Sequence, residues 1–240
     1  MTLSCTFFKY PILTMRQITK EIFQVGGGQL TSPEDAAVYL INFGEAALID
    51  AGTGDGQERL LANIQACGVD LKQIAYLFIT HCHYDHTGGA KKLQELLHCR
   101  LVAHEQDASF LETGDNVVTA AKWYGARVEP INIDIKISGN QQEIPLGEKV
   151  IRAIHIPGHS PGSLAFVTES AGKKIIFAQD VHGPIHPDLR SNPEDYQRSL
   201  KLLLSLEADI LCEGHYGVYQ GKKAVADFIR RFLEADGLRS

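Results

Sequence analysis

The chain has 240 residues, 44% hydrophobic and 22% charged, with a formal net charge of -6. That composition excludes a disordered chain, supplies enough apolar surface for a sizeable core, and disfavours nucleic acid as a partner. Five cysteines, odd in number and without CxxC spacing, argue against a disulfide framework and fit a reducing cytoplasm.

The N-terminal MTLSCTFFKYPILTMRQ has no charged leader, and Lys9, Pro11 and Arg16 interrupt any secretory-type run. No stretch approaches the roughly 20 uninterrupted apolar residues of a membrane span, so the expectation is a soluble, cytoplasmic protein. The run Gly26-Gly27-Gly28 lacks the strand-and-helix context of a nucleotide loop and reads as a flexible turn.

Short apolar runs then predict strands at 37–43, 46–49, 74–79 and 100–103, with a helix over 56–67. After Gly88-Gly89, the spacing of Ala90, Leu93, Leu96 and Leu97 predicts a helix with one apolar face. Residues 113–130 read as a long irregular connection whose Trp123-Tyr124 pair could wall a pocket.

Further strands are predicted near 131–137, 150–156, 163–168, 174–178 and 210–212. Ser191 or Asn192 can cap a helix that has Pro193 in its first turn and Tyr196, Leu200, Leu203 and Leu204 as its buried stripe. A last helix spans about 222–233 and buries Ala224, Val225, Phe228, Ile229, Phe232 and Leu233. No linker or repeat divides this alternating α/β pattern, so residues 1–240 are read as one domain.

The chemistry concentrates after the strand at 74–79, where Thr80-His81-Cys82-His83-Tyr84-Asp85-His86-Thr87-Gly88-Gly89 packs four potential metal ligands within six residues. Buried imidazoles and carboxylates crowded together are costly without a cation. Alternation along an extended turn lets His81 and His83 grip one ion while Asp85 and His86 face another, and turns Cys82 to the opposite, buried side.

This HxHxDH segment, followed by Gly-Gly and a helix, resembles the signature of the metallo-β-lactamase superfamily. Pro157-Gly158-His159-Ser160-Pro161-Gly162 is similar to the family's PGH[ST]PG loop, and Gln179-Asp180, Gly214-His215 and Asp50-Ala51-Gly52 also match in order. The resemblance implies an αββα sandwich with a dinuclear site along one edge. His81, His83 and His159 would hold one divalent metal, Asp85, His86 and His215 the second, and Asp180 would bridge them. Zinc is the expected metal, with iron or manganese as alternatives.

The activity implied is hydrolysis. A hydroxide bridging the metals would attack the carbonyl of a small-molecule ester, thioester or lactone, with Asp85 as the catalytic residue that orients it and passes a proton to the leaving group. The aspartate at 180 argues against antibiotic hydrolysis. Two other readings are a mononuclear iron persulfide dioxygenase using His81, His159 and Asp180, and a non-catalytic metal-bound sensor. A homo-oligomer is left open.

Other histidines read differently. His98 suits an exposed or capping position, His104 closes a strand, and His155 is a packing residue. His182 and His186 belong to a loop that should pass near the metals, and Tyr84 and Tyr216 are weaker candidates for substrate contact.

Overall fold

The computed structural model describes residues 15–237. Its first sheet runs β1 (Arg16–Gln17), β2 (Ile22–Gly26), β3 (Val38–Asn42), β4 (Ala46–Ile49), β5 (Ile74–Phe78), β6 (Arg100–His104) and β7 (Ile135–Ile137), in that spatial order. The strands pair antiparallel from β1 to β4 and parallel from β4 to β7.

The second sheet orders β8 (Gln141–Leu146), β9 (Lys149–His155), β10 (Leu164–Ser170), β11 (Lys173–Phe177), β12 (Ile210–Cys212) and β13 (Val218–Gln220) from one edge to the other. Only β11 and β12 pair in parallel.

Alternation along the strands sorts side chains into layers. Tyr39, Ile41, Ile49, Phe78 and Val102 of the first sheet meet Ile151, Phe166, Ile175, Phe177 and Ile210 of the second. On its outer face the first sheet packs Leu40, Leu48, Leu77 and Leu101 against three helices, α1 (Gln57–Ala66), α3 (Ala90–Leu97) and α4 (Glu105–Thr113). A single-turn helix, α2 (Tyr84–Thr87), precedes α3.

The outer face of the second sheet packs against α5 (Pro193–Ser205) and α6 (Lys222–Gly237) through Ala165, Val167, Ile176 and Leu211. Both faces of both sheets are therefore covered, which is why the central strands read as continuous apolar runs rather than as alternating patterns. Helix, sheet, sheet, helix is the expected αββα order.

Several expectations are refined. Asn192 caps α5, its side chain accepting the Asp195 N–H at 3.0 Å, while Ser191 donates to the His159 carbonyl instead. Leu96 is 53% exposed, because Ala90, Leu93 and Leu97 alone define the buried face of the short α3. The strand expected over 131–137 pairs only at Ile135–Ile137. Ahead of it, Ile131 donates its N–H to the Leu111 carbonyl and Ile133 donates to Glu112, so these groups bond to α4 rather than to a ladder.

Among the elements without a counterpart in the sequence pattern are β1, β2, β8, β13 and α4. Of these, β8 is a polar edge strand that carries Pro145, as edge strands tolerate. Gly26 belongs to β2 and Gly27, at φ 127°, follows it, so the expected glycine turn begins one residue late.

The inter-sheet layer should carry much of the stability. Phe166 is fully buried, with its ring centroid 5.0 Å from that of Phe78. Phe166→Ala is expected to destabilise the fold by about 3–5 kcal/mol, read from equilibrium denaturant unfolding.

Candidate metal centre

The C-terminal ends of β4, β5, β9, β11 and β12 emerge along one edge of the sandwich, and each carries chain into the same place. The two sheets are stitched there by backbone: Leu164 donates to the Thr80 carbonyl at 2.7 Å, and Ala37 donates to the Gly214 carbonyl at 2.8 Å. The loops after β5, β9, β11 and β12 bring His81, His83, Asp85, His86, His159, Asp180 and His215 together. Two groups result. Ligand atoms of His81, His83, His159 and Asp180 lie within 4.8 Å of one another, and so do those of Asp85, His86 and His215.

Asp180 spans the groups. Its Oδ2 lies 3.2 Å from His159 Nε2 and 3.7 Å from His81 Nε2, while its Oδ1 lies 3.3 Å from both His86 Nε2 and His215 Nε2. Asp85 Oδ2 closes the second group at 3.2 Å from His215 Nε2 and 3.5 Å from His86 Nε2. Asp180 sits at φ 54°, and this left-handed backbone, which aspartate tolerates, turns it back over the strand end.

A test of fit comes from the hydrogen bonds these atoms do not make. Nε2 of His81, His83, His86 and His159 and Oδ1 of Asp180 are buried without a hydrogen-bond partner. Buried polar atoms are normally satisfied, and such orphans converging on two points are the arrangement that cations would complete. In three of these histidines the other ring nitrogen is occupied. His86 Nδ1 donates to Asp50 Oδ2 at 2.8 Å, and His159 Nδ1 donates to the Pro184 carbonyl at 2.8 Å.

His81 Nδ1 contacts the Thr80 hydroxyl at 3.1 Å, and that hydroxyl gives its own proton to Asp50 at 2.6 Å. The hydrogen bonds thus put a hydrogen on Nδ1 of each of these three imidazoles and leave Nε2 to face the cluster, where a cation would replace the second proton that the carboxylates favour on His86.

Electrostatics separate the groups. Burial first, then neighbouring histidines, hold His81 and His83 well below the usual histidine range, as neutral ligands. Burial alone would also lower His86 and His215, but carboxylates override it. Asp85, Asp180 and Asp50 raise His86 well above its ordinary value, and the nearby carboxylates of Asp180 and Asp85 lift His215 to about 10.

Two acidic residues that the motif did not point to hold the loops. Asp107 on α4 is fully buried; it accepts the Cys82 N–H at 2.9 Å, the Gly162 N–H at 2.6 Å and the Ser160 hydroxyl at 2.6 Å, clamping the loop after β5 to the loop after β9. Glu213 does the same beside His215. Asp35 braces Thr53 and Thr31 nearby. Only its partners reveal Asp107's role, since its neighbours Gln106 and Ala108 belong to an unremarkable helix.

Gly214 is required for space: a Cβ there would stand 2.8 Å from Asp180 Oδ1 and 3.2 Å from His86 Cε1. Cys82 is fully buried on the side away from the ligands, as expected. Cys67, Cys82, Cys99 and Cys212 are free thiols, and Cys5 lies outside the described residues.

The superfamily model described as the metallo-beta-lactamase superfamily matches residues 32–215. The chain belongs to this superfamily. It is 31% identical over 134 residues to a probable metallo-hydrolase of Methanocaldococcus jannaschii, covering 55% of this chain and 62% of that protein. It is 29% identical to hydroxyacylglutathione hydrolase GloC of Haemophilus influenzae, over 72% of this chain and 81% of the relative.

Acyl-coenzyme A thioesterase MBLAC2 of Gallus gallus is 28% identical, over 60% of this chain and 57% of its own length. Among solved structures, a metallo-beta-lactamase of Cronobacter sakazakii superposes with a TM-score of 0.80 at 22% identity, covering 94% of this chain and 93% of the other. That likeness speaks for the fold alone. No helix among the described residues is long and apolar enough to cross a membrane.

The remaining candidates fall around the rim. Burial, followed by the nearby Asp85 carboxylate, pushes the Tyr124 hydroxyl well above the usual tyrosine range. The Tyr84 ring lies 5.5 Å from that of Tyr124, and Tyr216 is 61% exposed. Trp123, on the expected pocket wall, meets the exposed His186 edge-on at 5.3 Å. His98 is exposed in a left-handed cap at the end of α3. His104 and His155 stack at 3.8 Å behind the site, which makes His155 the packing residue expected.

Asp107→Ala is expected to cost at least about 3 kcal/mol, because three donors lose one charged acceptor, and to weaken metal uptake; thermal unfolding and chelator competition would read both. His104 supplies a pH dependence. Burial, then His155, lowers its pKa to about 4 from an ordinary 6.5. A histidine depressed in the fold stabilises above its unfolded value and loses that contribution as pH falls through the folded one. Unfolding free energy should therefore decline between pH 6.5 and 4, with a shallower slope in His104→Gln.

Proposed function

We propose that the chain is a dinuclear metal-dependent hydrolase of a small ester, thioester or lactone, with thioesters favoured, and that its residues act as one catalytic domain. The observation that carries this reading is Asp180: one carboxylate presents separate oxygens to two groups of imidazole nitrogens, four of which are buried without a hydrogen-bond partner. His81, His83, His159 and Asp180 would hold one divalent ion, and Asp85, His86, His215 and Asp180 the other. The mixed imidazole and carboxylate set suits zinc, and also iron or manganese. Two relatives named as hydroxyacylglutathione hydrolase and acyl-coenzyme A thioesterase support the preference for thioesters.

Metals bound here would lower the pKa of a water towards ~7 and polarise the substrate carbonyl. The chain's own groups supply the rest. Asp85 would orient the attacking water and carry its proton to the departing thiol or alcohol, with the Tyr124 hydroxyl near that carboxylate. Asp50, Thr80 and the Pro184 carbonyl fix the imidazoles in register, so that geometry need not be rebuilt in each turnover.

Protein loaded with zinc, iron or manganese is expected to hydrolyse members of a panel of acyl thioesters, esters and lactones. Chelation should abolish turnover and added metal restore it, and Asp85→Asn should lower kcat by ~10²–10⁴-fold. A metal-replete sample inert towards the whole panel would sink the hydrolase reading. Oxygen consumption with glutathione persulfide by a one-iron form would replace it.

A further inference from the structure

Glu213, at the end of β12, is fully buried, and among the described residues no lysine or arginine pairs with its carboxylate. Its Oε2 accepts the backbone N–H groups of His215 at 2.7 Å and Tyr216 at 2.8 Å. Its Oε1 takes Nδ1 of His182 at 2.8 Å. The Tyr39 hydroxyl anchors the Glu213 carbonyl from the inter-sheet core at 2.6 Å. An ionised carboxylate only accepts, so the His182 hydrogen sits on Nδ1 and its Nε2 keeps the lone pair.

That is the same orientation seen for His86 on Asp50 and His159 on the Pro184 carbonyl. His182 is also in place: a ring nitrogen lies within 4.8 Å of ligand atoms of both Asp180 and His215. Its ring packs across those of His215 at 5.2 Å and Tyr216 at 4.9 Å.

We propose that His182 is an additional ligand of the second cation site, held in its binding tautomer by Glu213. This rests on the dinuclear reading above and adds to it a donor outside the seven motif residues. His182 beside His215 and Asp180 makes this side of the centre richer in imidazole, which favours zinc or iron over manganese. Glu213 acts as a positioning residue, since one carboxylate orients His182 and the backbone that presents His215.

The test is titration of metal-free full-length chain with cobalt(II), followed by visible absorption, and with zinc against a competing chelator. Wild type is expected to take two equivalents. His182→Ala and His182→Gln should weaken the second equivalent by ~10–100-fold and alter its cobalt spectrum, leaving the first unchanged, and Glu213→Gln should give a smaller loss in the same equivalent. His98→Ala, on the exposed end of α3, is the control. The glutamine variant keeps a donor for Glu213, so it covers the case in which the alanine variant fails to fold. Two equivalents bound by both folded His182 variants with wild-type affinity and spectrum would overturn the ligand assignment alone. A wild type that stops at one equivalent would overturn the dinuclear reading with it.

Discussion

Buried imidazole nitrogens without partners are expensive, and this fold gathers four of them with a partnerless carboxylate oxygen at one edge of its two sheets. Most of the surrounding architecture serves to keep that arrangement in place. Strand ends from both sheets converge there, and the loops that continue them are short and tied to one another by backbone bonds. A charge-compensating cation would relieve the cost, and the fold supplies the stability that holds the groups together.

Behind the ligands stands a layer of acceptors. Asp50 reaches Thr80 and His86, Asp107 clamps two loops, and Glu213 grips His182 and the turn at His215. Each is a fully buried carboxylate whose oxygens accept two or three hydrogen bonds, and such satisfaction lets a charge persist in a core. Asp50 sits in a left-handed conformation at φ 60°, so local backbone cost is accepted where it aims a carboxylate at a ligand. Orientation, rather than extra contact area, is what this layer contributes.

The rim has different physics. Two connections meet over the site through Trp123 and His186, and again where the Arg190 guanidinium lies over Phe110 at 5.1 Å. These are exposed, few and weak contacts.

Much of the site was legible in the sequence because its ligands come in short strings. His81, His83, Asp85 and His86 occupy one turn, and glycines beside His159 and His215 mark the loops that carry them. Apolar runs likewise disclosed the central strands, since those are buried on both faces. What remained hidden was whatever depends on partners distant in the chain. Asp107 meets Gly162 across 55 positions, and Tyr39 meets Glu213 across 174. An isolated acidic residue in a weakly amphipathic helix, or at the end of a three-residue strand, has no local signal. Edge strands such as β8 were equally silent, with little burial to impose a pattern. The sequence by itself therefore determined which candidate ligand side chains are present and their order, because the residue types that suit a metal stand at short spacing. Only the tertiary structure decided that Asp107 and Glu213 hold the loops and how far apart the facing groups stand, because hydrogen bonds and charge depend on distance in space.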